Sequence, residues 1–467
     1  MLKIIFLLFM SSGLPVAIAM AGASLVYILV SGNLPPFVVI HRMVSGIDSF
    51  PLLAVPFFIL AGNLMNNAGI TTRIYNFALG LVGWLKGGLG HVNVVGSVIF
   101  AGMSGTAIAD AAGLGTIEIK AMKEHGYPTE FAVGVTAASA TLGPIIPPSL
   151  PFVIYGMMAN VSIGALFLAG LLPGLLMAAL MMLTVTYYAH KNQWGGDVKF
   201  SASRFGKSMI ELGVVVGWPL LLWLVVSRIG APAQISVFVG LALLFVVDRI
   251  FRFEALLPIM TPVLLIGGMT TGLFTPTEGA IAACVWAMIL GFAWYRTLKW
   301  KMFVKVCLDT VETTSTVLFI VAAASIFGWM LTATGVTADI AAWVLAFTKE
   351  AWVFLLLANL LMLFVGCFLE PTAAITILVP ILLPIAAQLG IDPVHFGLVM
   401  VLNLMIGLLH PPMGMVLFVL ARVAGLSFER TTMAILPWLV PLLVSLVILT
   451  YIPQIGLWLP RTMGMGG

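Results

Sequence analysis

Two hydroxyls, Ser104 and Thr106, stand in the small-residue run "GMSGT" at 102–106. A third, Thr372, ends the run "GCFLEPT" at 366–372. Hydroxyl and carbonyl oxygens are hard ligands that suit Na⁺ better than soft metals. Asp110 and Glu370 are the acids nearest these runs. An acid inside a membrane is expensive and is by default a functional candidate. Thr106, Asp110, Glu370 and Thr372 are therefore candidates for binding a polar solute. Each also has a local use: Ser and Thr back-bond their own helices, and acids cap helix N-termini. Both uses stay open here.

Between the two runs lies "LGPIIPPSLP" at 142–151, with four prolines in ten residues inside a long apolar region. Proline removes a backbone donor and clashes with the preceding helical turn. In a bilayer every freed backbone group needs a partner other than water. A helix broken there exposes carbonyls on one fragment and N–H groups on the other. The N-terminal end of a half-helix attracts anions. A small-residue hairpin tip beside such a break makes an oxygen cage suited to Na⁺ together with an anionic solute. His410 abuts a second proline pair in "GLLHPPM" at 407–413 and has three possible roles: ligand, proton carrier or structural residue. No Lys or Arg lies within several residues of either tip, so an anion there leans on Na⁺, half-helix ends and hydroxyls. Glu278, in "TPTEGA", reads as a capping residue.

These residues need membrane elements to hold them. The chain has 467 residues, 61% hydrophobic and only 8% charged, which excludes a sizeable soluble domain. Apolar runs near the ~20 residues that span a bilayer recur throughout. The net charge of +4 sits mainly in loops, so it reports orientation and not nucleic-acid binding. Cys284, Cys307 and Cys367 are scattered, which argues against a disulfide framework or zinc site. There is no HExxH, and "GMSG" is not GxSxG, which leaves an intramembrane enzyme with little support. The apolar start can pass for a signal peptide, but it continues to Val30 and suits a retained first helix better.

Basic clusters at 191–207, 249–252 and 296–305 are each separated by two apolar segments, so all three share one side. That side is the cytoplasm by the positive-inside rule. The resulting map has about eleven crossings, a cytoplasmic N-terminus and a periplasmic C-terminus.

An internal repeat orders the map further. "GPIIPPS" at 143–149 recurs as "GLLHPPM", an offset of 264 (407 − 143). At that offset Gly102 meets Gly366, Gly126 meets Gly390, Pro147 meets Pro411 and Pro173 meets Pro437. With four crossings in the first half and three in the segment between, the second half enters inverted. Each half holds a hairpin, 91–119 and 351–389, and then a broken helix, 131–160 and 396–424. Segments 72–85 and 338–347 are shorter than a span and read as connecting arms along the interface. Inverted repeats with discontinuous helices are a recurring plan of secondary transporters.

The chain resembles the large membrane subunit of tripartite ATP-independent periplasmic (TRAP) transporters over nearly its whole length. The resemblance rests on "PFFILAGNLMNNAGI" (56–70), "GMSGTAIADAAGLGT" (102–116), "LGPIIPPS" (142–149), "TPTEGA" (275–280), "LEPTAAITILVPILLPIA" (369–386) and "GLLHPPMG" (407–414). It implies an all-α polytopic ion-transporter-superfamily fold with two inverted repeats, two re-entrant hairpins and two broken helices, working as an elevator. The implied divisions are a scaffold and arm at 1–90, a transport core at 91–190 and connecting scaffold helices at 191–275. A second scaffold and arm at 276–350 and a second core with a C-terminal helix at 351–467 follow.

The resemblance also implies two or more Na⁺ coupling ions and no organic cofactor. One is held around Ser104, Gly143, Ile146 and Pro148, largely through carbonyls, the other around Gly366, Gly407, His410 and Pro412. Family members often carry Thr where His410 stands, so a hydroxyl ligand is missing from the second set. The expected partners are a carboxylate substrate, a periplasmic substrate-binding protein that delivers it, a separate small membrane subunit of about four helices, and the lipid bilayer; nucleic acid is not expected. The expected location is a bacterial or archaeal cytoplasmic membrane. The competing reading is a carboxylate/Na⁺ symporter of the same superfamily that needs no binding protein.

Overall fold

The computed structural model describes residues 1–467 except 33, 230–232, 254, 271–272, 412–413 and 466–467; in the rest of 219–239, and at 241 and 270, only the backbone is described. Every regular element among the described residues is a helix.

Glycine, proline and capping side chains punctuate the apolar runs where the sequence places them. In the first half, Gly88–Ser104 turns at Gly105 and returns as Ala107–Ala112 and Leu114–Glu124. Thr129–Ala140, an irregular stretch and Leu150–Ala159 follow, then the long Ile163–Lys191. In the second half the order is Ala351–Gly366, Pro371–Gln388, Pro393–Gly407, Met415–Ala424 and Phe428–Tyr451. Corresponding helices start 263 to 265 residues apart (351 − 88 and 428 − 163 at the extremes).

Side-chain caps fix these starts. Thr106 accepts from Ala109 N, Ser149 from Phe152 N, Glu370 from Ala373 N, and Asp392 from Val394 N. Such a cap is typically worth about 1 kcal/mol. Glu278 completes a capping box with Thr275, as its sequence context suggested.

The short segments expected as arms are the helices Ile70–Val82 and Val336–Phe347. The first packs on Gly88–Ser104 and the second on Pro371–Gln388. Helices Val16–Ser31 and Phe37–Ile47 lie against Trp300–Ala333, where Arg42 sits 4.6 Å above the Trp329 ring. One large apolar core joins both halves, and a smaller one gathers Leu2, Met20 and Phe327.

One expectation is corrected. The first apolar run is not one helix to Val30. It is Leu2–Ser11 and Val16–Ser31, because Gly13 turns at φ +81° and Pro15 cannot continue the first helix. Six described helices are long and apolar enough to cross a membrane, and ten apolar helices are shorter. Leu256–Thr270, counted as a crossing, has 15 residues, about 22 Å against a ~30 Å hydrocarbon core.

Candidate functional site

The first hairpin tip docks directly on the first break. Gly105 takes φ +64°, a conformation only glycine adopts freely, and its carbonyl accepts from Leu150 N at 3.5 Å. Gly143 packs against the Thr106 carbonyl, and Gly105 against the Pro148 carbonyl; a Cβ at either glycine would sit 3.0 or 2.8 Å from that oxygen. The whole stretch from Thr141 to Leu150 is buried. Its chain is held by Ile145 N and Ile146 N, both bonded to Leu142 O, and by Ser149 Oγ, which donates to Pro144 O. The Pro147–Pro148 bond is cis.

The polar atoms left over share this place. Among the described residues no donor reaches the carbonyls of Gly143, Ile146 or Pro148. Ser104 Oγ is buried and likewise without a partner. A buried polar group in that condition costs free energy unless something satisfies it. One hydroxyl oxygen on the tip and three carbonyl oxygens on the break are thus neutral and without a donor.

The second tip meets the second break through two glycines, Gly366 and Gly407. A Cβ on Gly407 would lie 2.7 Å from Gly366 Cα, so the backbones touch with no room for a side chain. The oxygens differ from those of the first site. Gly407 O accepts from His410 N at 3.0 Å, and His410 O from Gly414 N at 3.1 Å. The His410 ring bonds Ile406 O through Nδ1 at 3.0 Å, one turn back on its own helix. Break 2 is also more open: His410 is half-buried and Pro411 exposed. Pro412 lies outside the described residues.

The solute candidates are spoken for locally. Thr106 caps Ala107–Ala112. Thr372 donates to Glu370 Oε1 at 2.8 Å while Glu370 caps the same helix. Asp110 is not at the tip: it is 1% exposed, inside the hairpin, beside Ser97 and Glu118.

Sequence reasoning missed Ser149, although Ser followed by Leu-Pro is a legible helix start. It also missed Asn93, Ser97, Glu118, Thr136 and Ser139, which form one buried hydrogen-bonded chain. "GTIEIK" gives no hint that Glu118 points inward.

Hairpins, paired breaks and the all-helical plan define a membrane-transporter fold. A solved relative in shape is the Alcanivorax borkumensis YdaH transporter, with a TM-score of 0.56 over 92% of this chain and 89% of that one, at 14% identity. The family model "Tripartite ATP-independent periplasmic transporter, DctM component" matches residues 3–455. The chain belongs to that family, as a large permease component. It is 41% identical to the sialic acid TRAP transporter large permease protein SiaM of Vibrio cholerae over 96% of this chain and 95% of that one. It is 37% identical to the sialic acid TRAP transporter permease protein SiaT of Haemophilus influenzae, over 98% of this chain and 67% of that one. The C4-dicarboxylate large permease DctM of Pseudomonas aeruginosa is 36% identical over 90% of this chain and 88% of its own length.

Proposed function

We propose that this chain is the Na⁺-coupled path by which an organic acid, handed over by a periplasmic binding protein, crosses the bacterial inner membrane. The observation that carries the reading is the docking of tip 1 on break 1. Ser104 Oγ on the tip and the carbonyls of Gly143, Ile146 and Pro148 on the break have no donor to satisfy them, which supports an ion between them. Those are the neutral hard oxygens that a Na⁺ takes. The second ion lies around Gly366, Gly407 and His410. There the carbonyls of Gly407 and His410 already accept backbone bonds, so that site binds its ion more weakly in this conformation.

The carboxylate binds between the tips, at the half-helix N-terminus headed by Thr106, with Thr372 giving up its bond to Glu370 to turn its hydroxyl to the substrate. Sialic acid is the first candidate, on the 41% likeness to SiaM, and C4-dicarboxylates the second. The repeats are inverted, and residues 91–190 and 351–467 move as the core against a scaffold of 1–90, 191–275 and 276–350. A small membrane subunit works beside this chain.

Uptake into liposomes holding the chain and its small subunit tests the reading. Labelled sialic acid should enter only with an inward Na⁺ gradient and only when presented on the binding protein. Entry without Na⁺ sinks the coupling. Na⁺-driven entry without the binding protein supports the simpler symporter instead.

A further inference from the structure

Inside the first hairpin runs a buried polar chain that the tip and break do not use. Asn93 Nδ2 donates to Glu118 Oε2 at 2.6 Å and to Thr136 Oγ1 at 2.7 Å. Ser139 Oγ donates to Asn93 Oδ1 at 2.7 Å, and Ser97 Oγ to Ser139 Oγ at 3.0 Å. Asp110 lies beside Ser97 at the far end, and the carboxyls of Asp110 and Glu118 act on each other through space. Both acids are 1% exposed. Asp110 Oδ2 and Glu118 Oε1 have no hydrogen-bond partner among the described residues.

No counter-charge is aimed at them. Among the described residues no salt bridge reaches either acid. Lys123 gives its ammonium to Ala424 O at 3.2 Å, and Lys120 is exposed beside Glu124. Of the groups on Ile70–Val82, Tyr75 feels the Glu118 carboxyl through space, and Arg73 lies 3.9 Å over the Tyr295 ring. His91 turns to Thr186 Oγ1, Glu130 pairs with Arg430 at the surface, and Arg422 is exposed. The helices Ala54–Asn67 and Leu256–Thr270, which also pack on the hairpin, contain no titratable residue.

The hydrogens on the chain can be counted, because each hydroxyl has one and the amide two. With Glu118 accepting, they run one way: Asn93 to Glu118, Ser139 to Asn93, Ser97 to Ser139. Ser97 then has none for Asp110, and only a protonated Asp110 completes the chain. With the amide turned over, every hydroxyl turns too, Asp110 accepts, and Glu118 must be the acid. With both ionised, Ser97 points at Asp110 and Ser139 at Asn93. The 3.0 Å Ser97–Ser139 contact is then left with no hydrogen.

We propose that Asp110 and Glu118 form a proton-binding site that shares one proton along Ser97, Ser139 and Asn93, apart from the Na⁺ sites. A proton fits better than a metal ion, since no group of three His, Cys, Asp or Glu is gathered among the described residues. The site is particular to the first half. Asn403 stands 264 after Ser139 (403 − 139), and its chain to Asn359 and Thr450 has amides and a hydroxyl but no carboxyl. Losing the proton puts two like charges in the hairpin interior without a counter-ion, which parts the hairpin from Thr129–Ala140.

Infrared difference spectroscopy of the full chain with its small subunit in lipid at neutral pH tests this. The wild type should show the carbonyl stretch of a buried, protonated carboxylic acid, unaffected by Na⁺. The Asp110→Asn/Glu118→Gln double variant should lose it. A band absent in Na⁺ but appearing when Na⁺ is withdrawn makes the ligand a metal ion and overturns the proposal. A band that persists in the double variant belongs to another acid and overturns it as well. If the double variant does not fold, Ser97→Ala in the otherwise intact chain should shift the band; an unshifted band counts against the shared chain.

Discussion

Tyr155 Oη donates to the backbone carbonyl of Pro393 at 2.6 Å. Tyr155 is near the end of the first broken helix, and Pro393 opens the second. At the other extreme Lys123, just before the first broken helix, donates to Ala424 O, the last residue of the second. The two broken helices therefore pass head to tail, each start beside the other's end. Tyr155→Phe removes one buried hydrogen bond and keeps the ring, so the expected loss is about 1 kcal/mol. The thermal midpoint in detergent should fall modestly with transport retained. An unchanged midpoint would mean that the hydroxyl adds nothing to the crossing.

Ser104→Ala removes the one hydroxyl among the unpartnered oxygens at tip 1. If Na⁺ binds there, the variant loses a ligand while shedding a buried unsatisfied group, so stability should hold or rise. The Na⁺ concentration for half-maximal uptake should rise roughly five- to tenfold, the equivalent of about 1 kcal/mol or slightly more. Wild-type Na⁺ activation in a well-folded Ser104→Ala protein would falsify this site.

Gly407→Ala tests the second tip differently. The new methyl would meet Gly366 backbone atoms at 2.7 to 3.0 Å, and backbone cannot rotate away as a side chain does. The tip must separate from the break. Transport should fall by at least about tenfold, more than for Ala at His410, whose ring only back-bonds its own helix. Comparable losses at both positions, measured as initial uptake rates, would argue that the close approach is incidental.

The pairing of Glu130 with Arg430 gives a pH expectation. The Glu130 carboxyl is held below its ordinary 4.5, first by its own backbone N–H and then by the Arg430 guanidinium. A depressed folded value stabilises above the unfolded one, and the contribution is lost as pH falls through the folded value. Acidification down to about pH 5 should leave the contribution intact, and it should vanish only below about 4.5. The side chains are 65% and 40% exposed, so the pair is worth less than about 1 kcal/mol. Arg430→Met should lower the thermal midpoint slightly at neutral pH and not at all once the pH is below the depressed folded value of Glu130. An equal effect at both would mean that the arginine acts through packing.

Much of this was legible because glycine and proline interrupt apolar runs, and an interruption in lipid must be deliberate. Gly105, Pro147 and Gly407 announce the tips and breaks, and the 264-residue offset pairs them. What stayed hidden depends on contacts across elements. Glu118 meets Asn93 25 residues earlier and approaches Asp110 through a turn at Gly113, and no periodicity of one segment reveals such a chain. The break at 12–15 was hidden for a different reason: the residues on both sides are apolar enough to read as one span. Hydropathy measures the solvent that a segment prefers and says nothing of whether the backbone is continuous.

Orientation can be read from one helix. Ile163–Lys191 has 29 residues, about 43 Å long, so its ends must lie on opposite sides of a ~30 Å hydrocarbon core. His190 and Lys191 close it, and Lys199, Arg204 and Lys207 follow, so the positive-inside rule predicts that end in the cytoplasm. Ser162→Cys and Gly195→Cys, made in a chain with Cys284, Cys307 and Cys367 replaced by Ser, should therefore differ. A membrane-impermeant thiol reagent added to intact cells should label residue 162 and leave 195 unlabelled until the membrane is opened. Labelling of 195 from outside would overturn the orientation predicted for this helix.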